Sequence, residues 1–269
     1  MARISICLPV YNGAAYVEEA LASIAAQTSK DYVVLASDNA STDQTSEILT
    51  RWSKQIPMEV VVQPQTIPMQ EHFDTLLDRI ETQSYMLLCH DDYFYSPDAV
   101  AKALEILELQ PQVSAIYCDL AYVSEKRRVL ARRRFGRSGM IDADIIGRQS
   151  LRKARNMFGI PLLVRRDALG ANRYDRQFRY GADLDLSWVI SKHAPAWHIP
   201  EVLLANRYSG DNSTWTLLAE AQNEFFRLAG KHGIQLSTVE RARIKLASWQ
   251  GAQQKRVFGL YERMVTRFG

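Results

Sequence analysis

Residues 4–27 read ISICLPVYNGAAYVEEALASIAAQ, and this stretch decides the fold class. Its first seven residues, Ile4–Val10, form a short apolar run that is followed by Asn12-Gly13, which is typical of a buried strand. Residues 14–27 then carry Ala, Leu and Ile at helical spacing. The pattern predicts a strand followed by a helix, which is the first half of a βαβ unit.

The alternation of strand and helix continues to about residue 118. Because the strands are apolar on both faces, we expect a mostly parallel sheet covered by helices on both sides. In such a sheet, ligands bind at the carboxyl ends of the strands, here directly after Val10, Ala36 and Cys89. The further strands are predicted at Tyr32–Ala36, Met58–Val62, Tyr85–Cys89 and Val113–Cys118. The helices are predicted at Asp43–Lys54 (with Ser41 or Thr42 as its cap), at Gln70–Thr82 and from Pro97 to about Leu109.

The rest of the chain is less regular. Residues 119–165 show no clear pattern, after which a helix at Ala182–Lys192 and a strand near Trp197–Ala205 are predicted to complete the sheet region. From about Thr214 the pattern is helical. No linker separates an independent domain, so we expect one α/β unit with a C-terminal helical extension.

The composition is that of a globular protein. Of the 269 residues, 47% are hydrophobic and 23% are charged, which excludes a disordered, collagenous or coiled-coil chain. A net charge of +3 implies no whole-surface attraction to nucleic acid, so no nucleic-acid partner is expected. Cys7, Cys89 and Cys118 lie in apolar runs and are expected to be buried free thiols in a reducing compartment. With no signal peptide evident and no run of ~18 apolar residues, we expect a cytoplasmic protein.

Two segments concentrate basic charge. Residues 126–137, KRRVLARRRFGR, hold seven of the 33 basic residues, and they are either a loop over the ligand site whose arginines meet phosphate or a solvated loop. Near the C-terminus, a helix is predicted to be amphipathic and basic. It either lies on an anionic membrane surface or packs on the rest of the chain or on a second subunit, so homo-oligomerisation is left open. Its apolar face is Val257, Phe258, Tyr261, Met264, Val265 and Phe268, and its basic side is Arg256, Arg263 and Arg267.

Carboxylates follow two of the predicted strands and start one helix. Asp91-Asp92 follows the fourth strand, where Mg²⁺ or Mn²⁺ shared with a diphosphate would offset the repulsion between the two charges; a solvated turn is the alternative. Asp38, after the second strand, is able to accept from a base N–H or a ribose hydroxyl, while the segment behind it caps a helix. Asp183 and Asp185 start the later helix, where the sequence is consistent with a general base and with helix capping.

Five segments together resemble the inverting family 2 glycosyltransferases, which have the GT-A fold. They are ISICLPVYNGAAYVEEALASIAAQ, SDNASTDQTSEIL, LCHDDYF, GADLDLSWVI and IPEVLLANRYSGDNST, in this order from about Ile4 to Thr214. Each motif alone is loose, but five in the right order make a specific signal. The resemblance implies a Rossmann-like GT-A catalytic domain over 1–213, with a nucleotide-binding half at about 1–118 and an acceptor half at about 119–213. A helical extension over 214–269 is expected to pack on it.

The resemblance also implies roles for single residues. By similarity, Asp38 contacts the base of the donor, Asp91 holds the ribose and Asp92 holds the metal, Mg²⁺ or Mn²⁺. Asp183 is the implied base, which takes the proton of the acceptor hydroxyl as its oxygen attacks the anomeric carbon. The nucleoside diphosphate leaves from the opposite face, so the configuration inverts. The segment that packs against the nucleoside corresponds to Pro9, Val10, Tyr11 and Asn12.

Two positions depart from the family's pattern. Ala182 stands where a Glu often precedes the base, and Ser209 stands where a His often lies two residues after the arginine that corresponds to Arg207. Because serine is a poorer ligand, Arg207 is expected to carry more of the diphosphate charge. The departures leave one alternative open, a catalytically inactive nucleotide-sugar-binding or scaffold protein of the same fold. A sugar-phosphate nucleotidyltransferase is disfavoured, since PVYNGAAY lacks the Gly-rich basic loop that it needs.

The activity that the resemblance implies is transfer of one sugar from a nucleotide-diphosphate donor, with a UDP-sugar favoured, to a hydroxyl of an acceptor. A role in bacterial surface-glycan assembly follows from the same resemblance. The acceptor would then be a glycan, or a sugar on a polyprenyl-diphosphate carrier, and the enzyme would work at the inner face of the plasma membrane.

Overall fold

The computed structural model describes residues 2–208 and 213–268, without the side chains of 213–220 and 254–268. The strands within these residues are β1 (Ile4–Val10), β2 (Tyr32–Asp38), β3 (Met58–Val62), β4 (Ser84–Leu87), β5 (Tyr93–Phe94), β6 (Ala115–Ser124), β7 (Val129–Arg133), β8 (Gly139–Ile141), β9 (Leu163–Arg165) and β10 (Ala196–Tyr208). The helices are α1 (Val17–Ala25), α2 (Thr45–Trp52), α3 (Met69–Leu77), α4 (Ala99–Leu109), α5 (Ala143–Lys153), α6 (Arg166–Leu169), α7 (Ala182–His193), α8 (Ser213–Lys231) and α9 (Thr238–Phe268).

The strands form one sheet with the order β3-β2-β1-β4-β9-β6-β10-β5, in which β7 also pairs with β6 and β8 with β10. Four pairings of the sheet are parallel: β1 with β2 and with β4, β2 with β3, and β6 with β10. Short antiparallel strands complete the sheet, and β9 is antiparallel to both of its neighbours, β4 and β6. The predicted α/β class, a central sheet flanked by helices and followed by C-terminal helices, is therefore confirmed.

Strand β1 is buried along its whole length because helices cover both faces of the sheet. Ile6 and Leu8 point into the apolar core on one face, and Cys7 points into the core on the other, as the two-residue alternation of a strand requires. The thiols of Cys7 and Cys118 are buried and free, as expected, whereas Cys89 is only half-buried. Cys89 lies just beyond β4, at the edge of the sheet where the predicted site residues gather.

The basic segment 126–137 is not simply a loop, which corrects the expectation from the sequence. The chain turns back at Arg127, whose φ is +63° and whose N–H donates to the carbonyl of Ser124 at 3.0 Å. Residues Val129–Arg133 then form β7, which pairs antiparallel with β6. The loop prediction was wrong for these five residues because the edge of β6 supplies partners for their backbone groups, which no local pattern reveals.

The predicted cap of the second helix was also wrong. Helix α2 begins at Thr45, whose N–H donates to the carboxylate of Asp43 at 3.0 Å. The Ser41 hydroxyl instead accepts the N–H of Asn12 at 2.8 Å, and the Thr42 N–H donates to the Asn12 side chain. The polar residues after β2 are thus used to hold the loop that follows β1.

The C-terminal helices pack on the sheet unit through side chains that the structure describes. Phe225 and Leu228 of α8 and Ile244 of α9 are buried in the same apolar cluster as Trp188 of α7. The division of the chain at residue 213 stays a prediction. The predicted apolar and basic faces at 256–268 lie outside the described side chains. Among the described residues, no helix is both long and apolar enough to cross a membrane.

Candidate active site

A cleft of about 1250 Å³ lies at the carboxyl ends of the central strands. It is bounded by the segments after β1 and β4, by the start of α7 and by the end of β10. The structure brings together eight of the nine site residues that the sequence singled out. Those that line the cleft are Pro9, Val10, Tyr11, Asn12, Asp91, Asp92, Asp183 and Arg207.

The loop after β1 is held in place by the segment after β2. Asn12 has a φ of +46°, which asparagine tolerates better than most residues, and its side-chain oxygen accepts the N–H of Thr42 at 2.9 Å. The carbonyl of Val10 accepts the N–H of Asn39 at 2.8 Å. This fixed loop leaves the Tyr11 ring 47% exposed at the cleft, where a flat apolar group is able to stack on it.

Asp38 is the residue that the structure does not bring to the cleft. Its side chain is fully buried, and its carboxylate accepts the N–H of Ser41 at 3.0 Å and the hydroxyl of Ser46. The next residue, Asn39, lines the cleft instead, and its side chain is bonded to the backbone of Ile67 through both of its polar atoms. The carboxylate of Asp38 therefore fastens the segment after β2, and this placement does not provide the predicted contact with a base.

Asp91 and Asp92 form the acidic end of the cleft. Their carboxylates and the thiol of Cys89 offer ligand atoms within 4.8 Å of one another. Asp92 accepts hydrogen bonds from the Asn206 amide at 2.7 Å and from the Arg207 N–H at 2.9 Å. Burial raises the pKa of Asp92 well above its usual range, and the neighbouring Asp91 adds to this effect. A cation beside the pair would stabilise the ionised carboxylates.

The residues at this end fit a hard divalent cation. Burial raises the pKa of the Cys89 thiol well above its usual value, so this sulfur stays protonated and is a poor ligand. The carboxylates of Asp91 and Asp92 are the oxygen ligands that Mg²⁺ and Mn²⁺ prefer. The side-chain oxygen of Asn206 is buried and accepts no hydrogen bond from the described residues. An oxygen that lacks a donor beside two carboxylates is suited to a cation or to one of its bound waters.

Arg207 does not have the role that the resemblance implied. Its side chain is only 1% exposed, and its guanidinium donates to the carbonyl of Asp91 at 3.0 Å, to the carbonyl of Glu125 at 2.7 Å and to the carboxylate of Glu19. The guanidinium also lies over the Tyr16 ring at 4.7 Å. Its donors are thus committed to the protein, which corrects the predicted diphosphate contact. Arg207 holds the turn that presents Asp91 and Asp92.

Asp183 is the second residue of α7 and faces the cleft half-buried. Burial raises the pKa of its carboxyl to about 6, and none of the described groups donates a hydrogen bond to it. Asp185, two residues on, is instead fully buried and is paired with Lys231 at 2.7 Å and His232 at 2.9 Å. The structure therefore separates the two aspartates: Asp185 ties α7 to α8, whereas the carboxylate of Asp183 faces the cleft without such partners among the described residues.

One residue that organises the start of α7 was not found by sequence reasoning. Glu224 of α8 is 1% exposed, and its carboxylate accepts the backbone N–H groups of Arg179, Tyr180 and Gly181 at 2.8–3.1 Å. These groups lie directly before the helix that carries Asp183 and have no partner within it. A carboxylate from a distant helix thus fixes the backbone at the base, and no local motif announces such a contact.

The wall of the cleft formed by later parts of the chain is basic. Only two of its cations, Arg132 and Arg133, belong to the basic segment that stood out in the sequence. The other three cations come from separate positions later in the sequence and share no motif. The five cationic side chains of this wall are Arg132, Arg133, Lys153, Arg155 and Arg179, and we call them the cation wall.

Comparison with known proteins gives a consistent result. The family described as "Glycosyl transferase family 2" matches residues 5–171. An uncharacterized glycosyltransferase of Rickettsia prowazekii is 23% identical over 224 residues, which are 81% of this chain and 68% of that protein. Two solved structures share the fold. Staphylococcus aureus TarS with UDP-GlcNAc has a TM-score of 0.67 at 14% identity, covering 91% of this chain and 70% of that one. Mannosyltransferase PcManGT from Pyrobaculum calidifontis with GDP-Man and Mn²⁺ has a TM-score of 0.65 at 16% identity, covering 95% and 73%. The expected GT-A fold is thereby confirmed.

Proposed function

The chain belongs to glycosyl transferase family 2 and is a glycosyltransferase, and we propose that it is an inverting enzyme that uses a nucleotide-diphosphate sugar and a divalent metal. A UDP-sugar is the favoured donor, and the acceptor is a hydroxyl of a glycan in cell-surface glycan biosynthesis. The observation that carries the proposal is that Asp183, a half-buried carboxylate without a hydrogen-bond donor among the described residues, shares one cleft with the Asp91-Asp92 pair.

The donor is proposed to lie along the loop after β1 and the acidic turn. Tyr11 and its neighbours Pro9, Val10 and Asn12 would pack against the nucleoside, because the exposed Tyr11 ring offers a flat surface there. Asp91 would hold the ribose, and Asp92, together with the free oxygen of Asn206, would hold Mg²⁺ or Mn²⁺. The chemistry that such an ion supplies when bound is to offset the negative charge that grows on the leaving diphosphate.

Asp183 is proposed to act on the acceptor. Its carboxylate would take the proton of the attacking hydroxyl while the oxygen bonds to the anomeric carbon and the diphosphate leaves with the electron pair of the broken bond. With a pKa of about 6 this carboxyl is ionised at pH 7, and it is more basic than an ordinary aspartate. Attack on the face opposite to the leaving group inverts the configuration at that carbon.

The two solved relatives support the choice of donor and metal. TarS was solved with UDP-GlcNAc and PcManGT with GDP-Man and Mn²⁺, so this fold accepts sugars on more than one nucleotide. The present cleft has an acidic turn, Asp91-Asp92, after β4, and carboxylates are the ligands that suit a metal–diphosphate group. The alternative of an inactive binding protein is not favoured, because Asp183 keeps a half-buried carboxylate at the cleft, and burial raises its pKa to about 6.

Nucleotide binding tests the donor half of the proposal. Thermal unfolding would be measured with UDP, GDP, dTDP or CMP, each with Mn²⁺, Mg²⁺ or EDTA, for the wild type, for Asp92→Ala and for the control Asp144→Ala on the surface of α5. A ligand at 100 times its Kd adds about 2.7 kcal/mol of stability. We expect UDP to stabilise the wild type and the control only with metal, and Asp92→Ala not at all. If UDP stabilised the wild type equally with EDTA and with metal, this would contradict the proposed metal site.

Turnover tests the base. Asp183→Asn keeps the size of the side chain and removes its ability to take a proton, so we expect release of UDP from UDP-sugars to fall by orders of magnitude while UDP binding stays within twofold. Unchanged turnover would remove Asp183 as the base. A wild type that binds UDP but releases none from any UDP-sugar, with or without added glycan, would establish the inactive scaffold instead.

We also propose that the C-terminal helix docks on anionic lipid. In the described part of α9, Leu246 is 55% and Trp249 61% exposed, and Arg243 and Lys245 lie beside them. A helix that exposes apolar side chains among basic ones is suited to an anionic membrane surface. Flotation with vesicles of phosphatidylcholine alone or with 30% phosphatidylglycerol, for wild type and for Trp249→Ser, checks this. Binding is expected only to the anionic vesicles and weaker for the variant; no flotation would contradict the proposal.

A further inference from the structure

The cation wall gathers positive charge from three separate parts of the chain. Arg132 and Arg133 come from β7, Lys153 and Arg155 from the end of α5 and the turn after it, and Arg179 from the segment before α7. All five residues follow position 118, whereas the acidic turn and the loop after β1 precede it. The cleft therefore has one acidic end and one basic wall, and the two are built from different halves of the chain.

The charge of the cation wall is not paired within the described residues. None of the five cations forms an ion pair with an acidic group in the part of the chain that the structure describes. Elsewhere cations are paired, as Arg127 is with Glu19 and Lys231 with Asp185. Burial lowers the pKa of Arg133 to about 10, and the positive charge of Arg155 adds to this effect. Positive charges that line one wall repel one another, and an anion bound between them would offset this repulsion.

The turn after α5 brings two of these cations to the cleft. Helix α5 ends at Lys153, and the next residue, Ala154, has a φ of +46° that turns the chain, so that Arg155 lines the cleft. The side chain of Asn156 accepts the N–H groups of Phe158 and Gly159, which stabilises the next turn. The Arg133 guanidinium donates to the Asn156 carbonyl at 2.6 Å and lies over the Tyr122 ring at 4.8 Å. Arg133 is thereby held at the cleft, while Arg155 and Arg179 line the same cleft with exposed side chains. Arginines grouped in this way are suited to binding a phosphate group.

The wall lies next to the base in the chain. Arg179 precedes Asp183 by four residues, and its backbone N–H is one of those that Glu224 holds. We infer that the acceptor carries a phosphate group, which Arg133, Arg155 and Arg179 bind while Asp183 receives the proton of its hydroxyl. The acceptor class is thus a phosphate-bearing glycoside, such as a glycosyl phosphate or diphosphate. This inference rests on the proposed function, since it adds an acceptor site to the same cleft.

The diphosphate of the donor is the other source of the same chemistry, and the two sources make different predictions. If the cation wall binds the donor, then removing charge from the wall weakens the binding of UDP. If the wall binds the acceptor, then a phosphate-bearing sugar binds even when UDP and Mg²⁺ occupy the acidic end. Removing charge from the wall then lowers the affinity for that sugar and leaves the affinity for UDP unchanged.

The probes are glucose 1-phosphate and the uncharged methyl glucoside, titrated calorimetrically into protein saturated with UDP and Mg²⁺. The variants are Arg155→Gln, Arg179→Gln and their combination, and the control is Arg152→Gln, an exposed arginine of α5 outside the cleft. We expect glucose 1-phosphate to bind at least tenfold more tightly than methyl glucoside. Loss of one charge-assisted contact, in Arg155→Gln or Arg179→Gln, should lower the affinity for glucose 1-phosphate about tenfold. UDP affinity should stay within twofold in every protein.

Two results would overturn the inference. A tenfold loss of UDP affinity in Arg155→Gln or Arg179→Gln would assign the wall to the donor. Glucose 1-phosphate that binds no better than methyl glucoside would show that the wall holds no acceptor phosphate. If the wild type failed to bind UDP, the proposed function would be contradicted. Titration of glucose 1-phosphate into the nucleotide-free protein and its variants would then show separately whether the cation wall binds a phosphate group.

Discussion

Glu224 offers the sharpest test of how the structure positions its base. The residue lies on α8, in the region that follows the matched family segment, yet its carboxylate accepts three backbone N–H groups at the start of α7. Two of these N–H groups, those of Tyr180 and Gly181, donate at 2.8 Å and belong to half-buried and buried residues. The perturbation that we consider is the pair of variants Glu224→Ala and Glu224→Gln.

The size of the effect follows from these contacts. In Glu224→Ala the N–H groups of Tyr180 and Gly181 lose their acceptor away from water, at about 1–3 kcal/mol each, or about 2–6 kcal/mol together. The N–H of Arg179 belongs to an exposed residue and is able to bind water instead. Glu224→Gln keeps one oxygen as acceptor and loses the charge, so we expect a loss of about 1–2 kcal/mol. Both values are large beside a typical total stability of about 5–15 kcal/mol.

Activity should fall more steeply than ligand binding. Asp183 follows Gly181 by two residues, and a displacement of a reacting group by about 1 Å costs about 100-fold in rate. For Glu224→Gln we expect kcat to fall about 10- to 100-fold while the Kd for UDP, whose proposed binding site lies on other segments, changes less than twofold. Urea unfolding followed by circular dichroism gives the stability, UDP release gives kcat, and calorimetry gives Kd. Glu105→Ala, an exposed glutamate on α4, is the control.

The reasoning would be refuted by either of two results. A loss of less than 1 kcal/mol in Glu224→Ala would mean that the three N–H groups do not depend on this carboxylate. An equal loss of UDP affinity and kcat in Glu224→Gln would mean that the change spreads through the cleft and does not act on the base. Full turnover in a Glu224→Gln protein that is clearly destabilised would show that α7 keeps Asp183 in place without it.

Three further predictions concern the same helix and its surroundings. Because burial raises the pKa of Asp183 to about 6, kcat/KM should fall below about pH 6, where the carboxyl is protonated, and a pH–rate profile shows the position of this limb. Between about pH 4 and 6 the folded state keeps a proton on Asp183 that the unfolded chain, with the ordinary pKa of 3.8, has released, so the free energy of unfolding should decrease as the pH rises through this range. Asp183→Asn should therefore be more stable than the wild type by about 1–3 kcal/mol at pH 8 and differ little from it at pH 3.5. Urea unfolding at both pH values measures this. Gly147→Ala should destabilise the protein by about 1–3 kcal/mol or more, since the new Cβ would lie 2.0 Å from the Trp188 ring, and a Tm close to that of the wild type would contradict this packing.

The first half of the fold was predictable because its information is local. Strand β1 has the predicted bounds, Ile4–Val10, and β3 has the predicted bounds, Met58–Val62, since each is a short, mostly apolar run. The edge at which ligand-binding residues gather followed from the parallel arrangement alone, and eight of the nine chosen residues do line the cleft. The short strands β5, β8 and β9 were not predictable, because two or three residues become a strand only when a neighbour in the sheet supplies their partners.

Asp38 and Arg207 show where transfer of a role by motif failed. In both cases the residue type was right for the proposed contact, but the structure commits its polar atoms elsewhere. Asp38 accepts from Ser41 and Ser46, and Arg207 donates to Asp91, Glu125 and Glu19. A sequence specifies which groups are able to bind a ligand. Whether their hydrogen bonds are already used depends on residues far away in the chain, such as Glu19, which is separated from Arg207 by 188 positions.

The departure at Ala182 has the opposite outcome, because the structure makes it harmless. Ala182 is 2% exposed and belongs to the apolar cluster that includes Phe225 and Leu228, whereas Asp183 is turned towards the cleft. A glutamate at position 182 would bury a charge among apolar side chains at a cost of several kcal/mol, unless it were paired. The missing carboxylate therefore takes nothing from the groups that face a substrate. In the proposed mechanism, Asp183 alone takes the proton at this end of the cleft, so the variants of Asp183 and Glu224 test that proposal most directly.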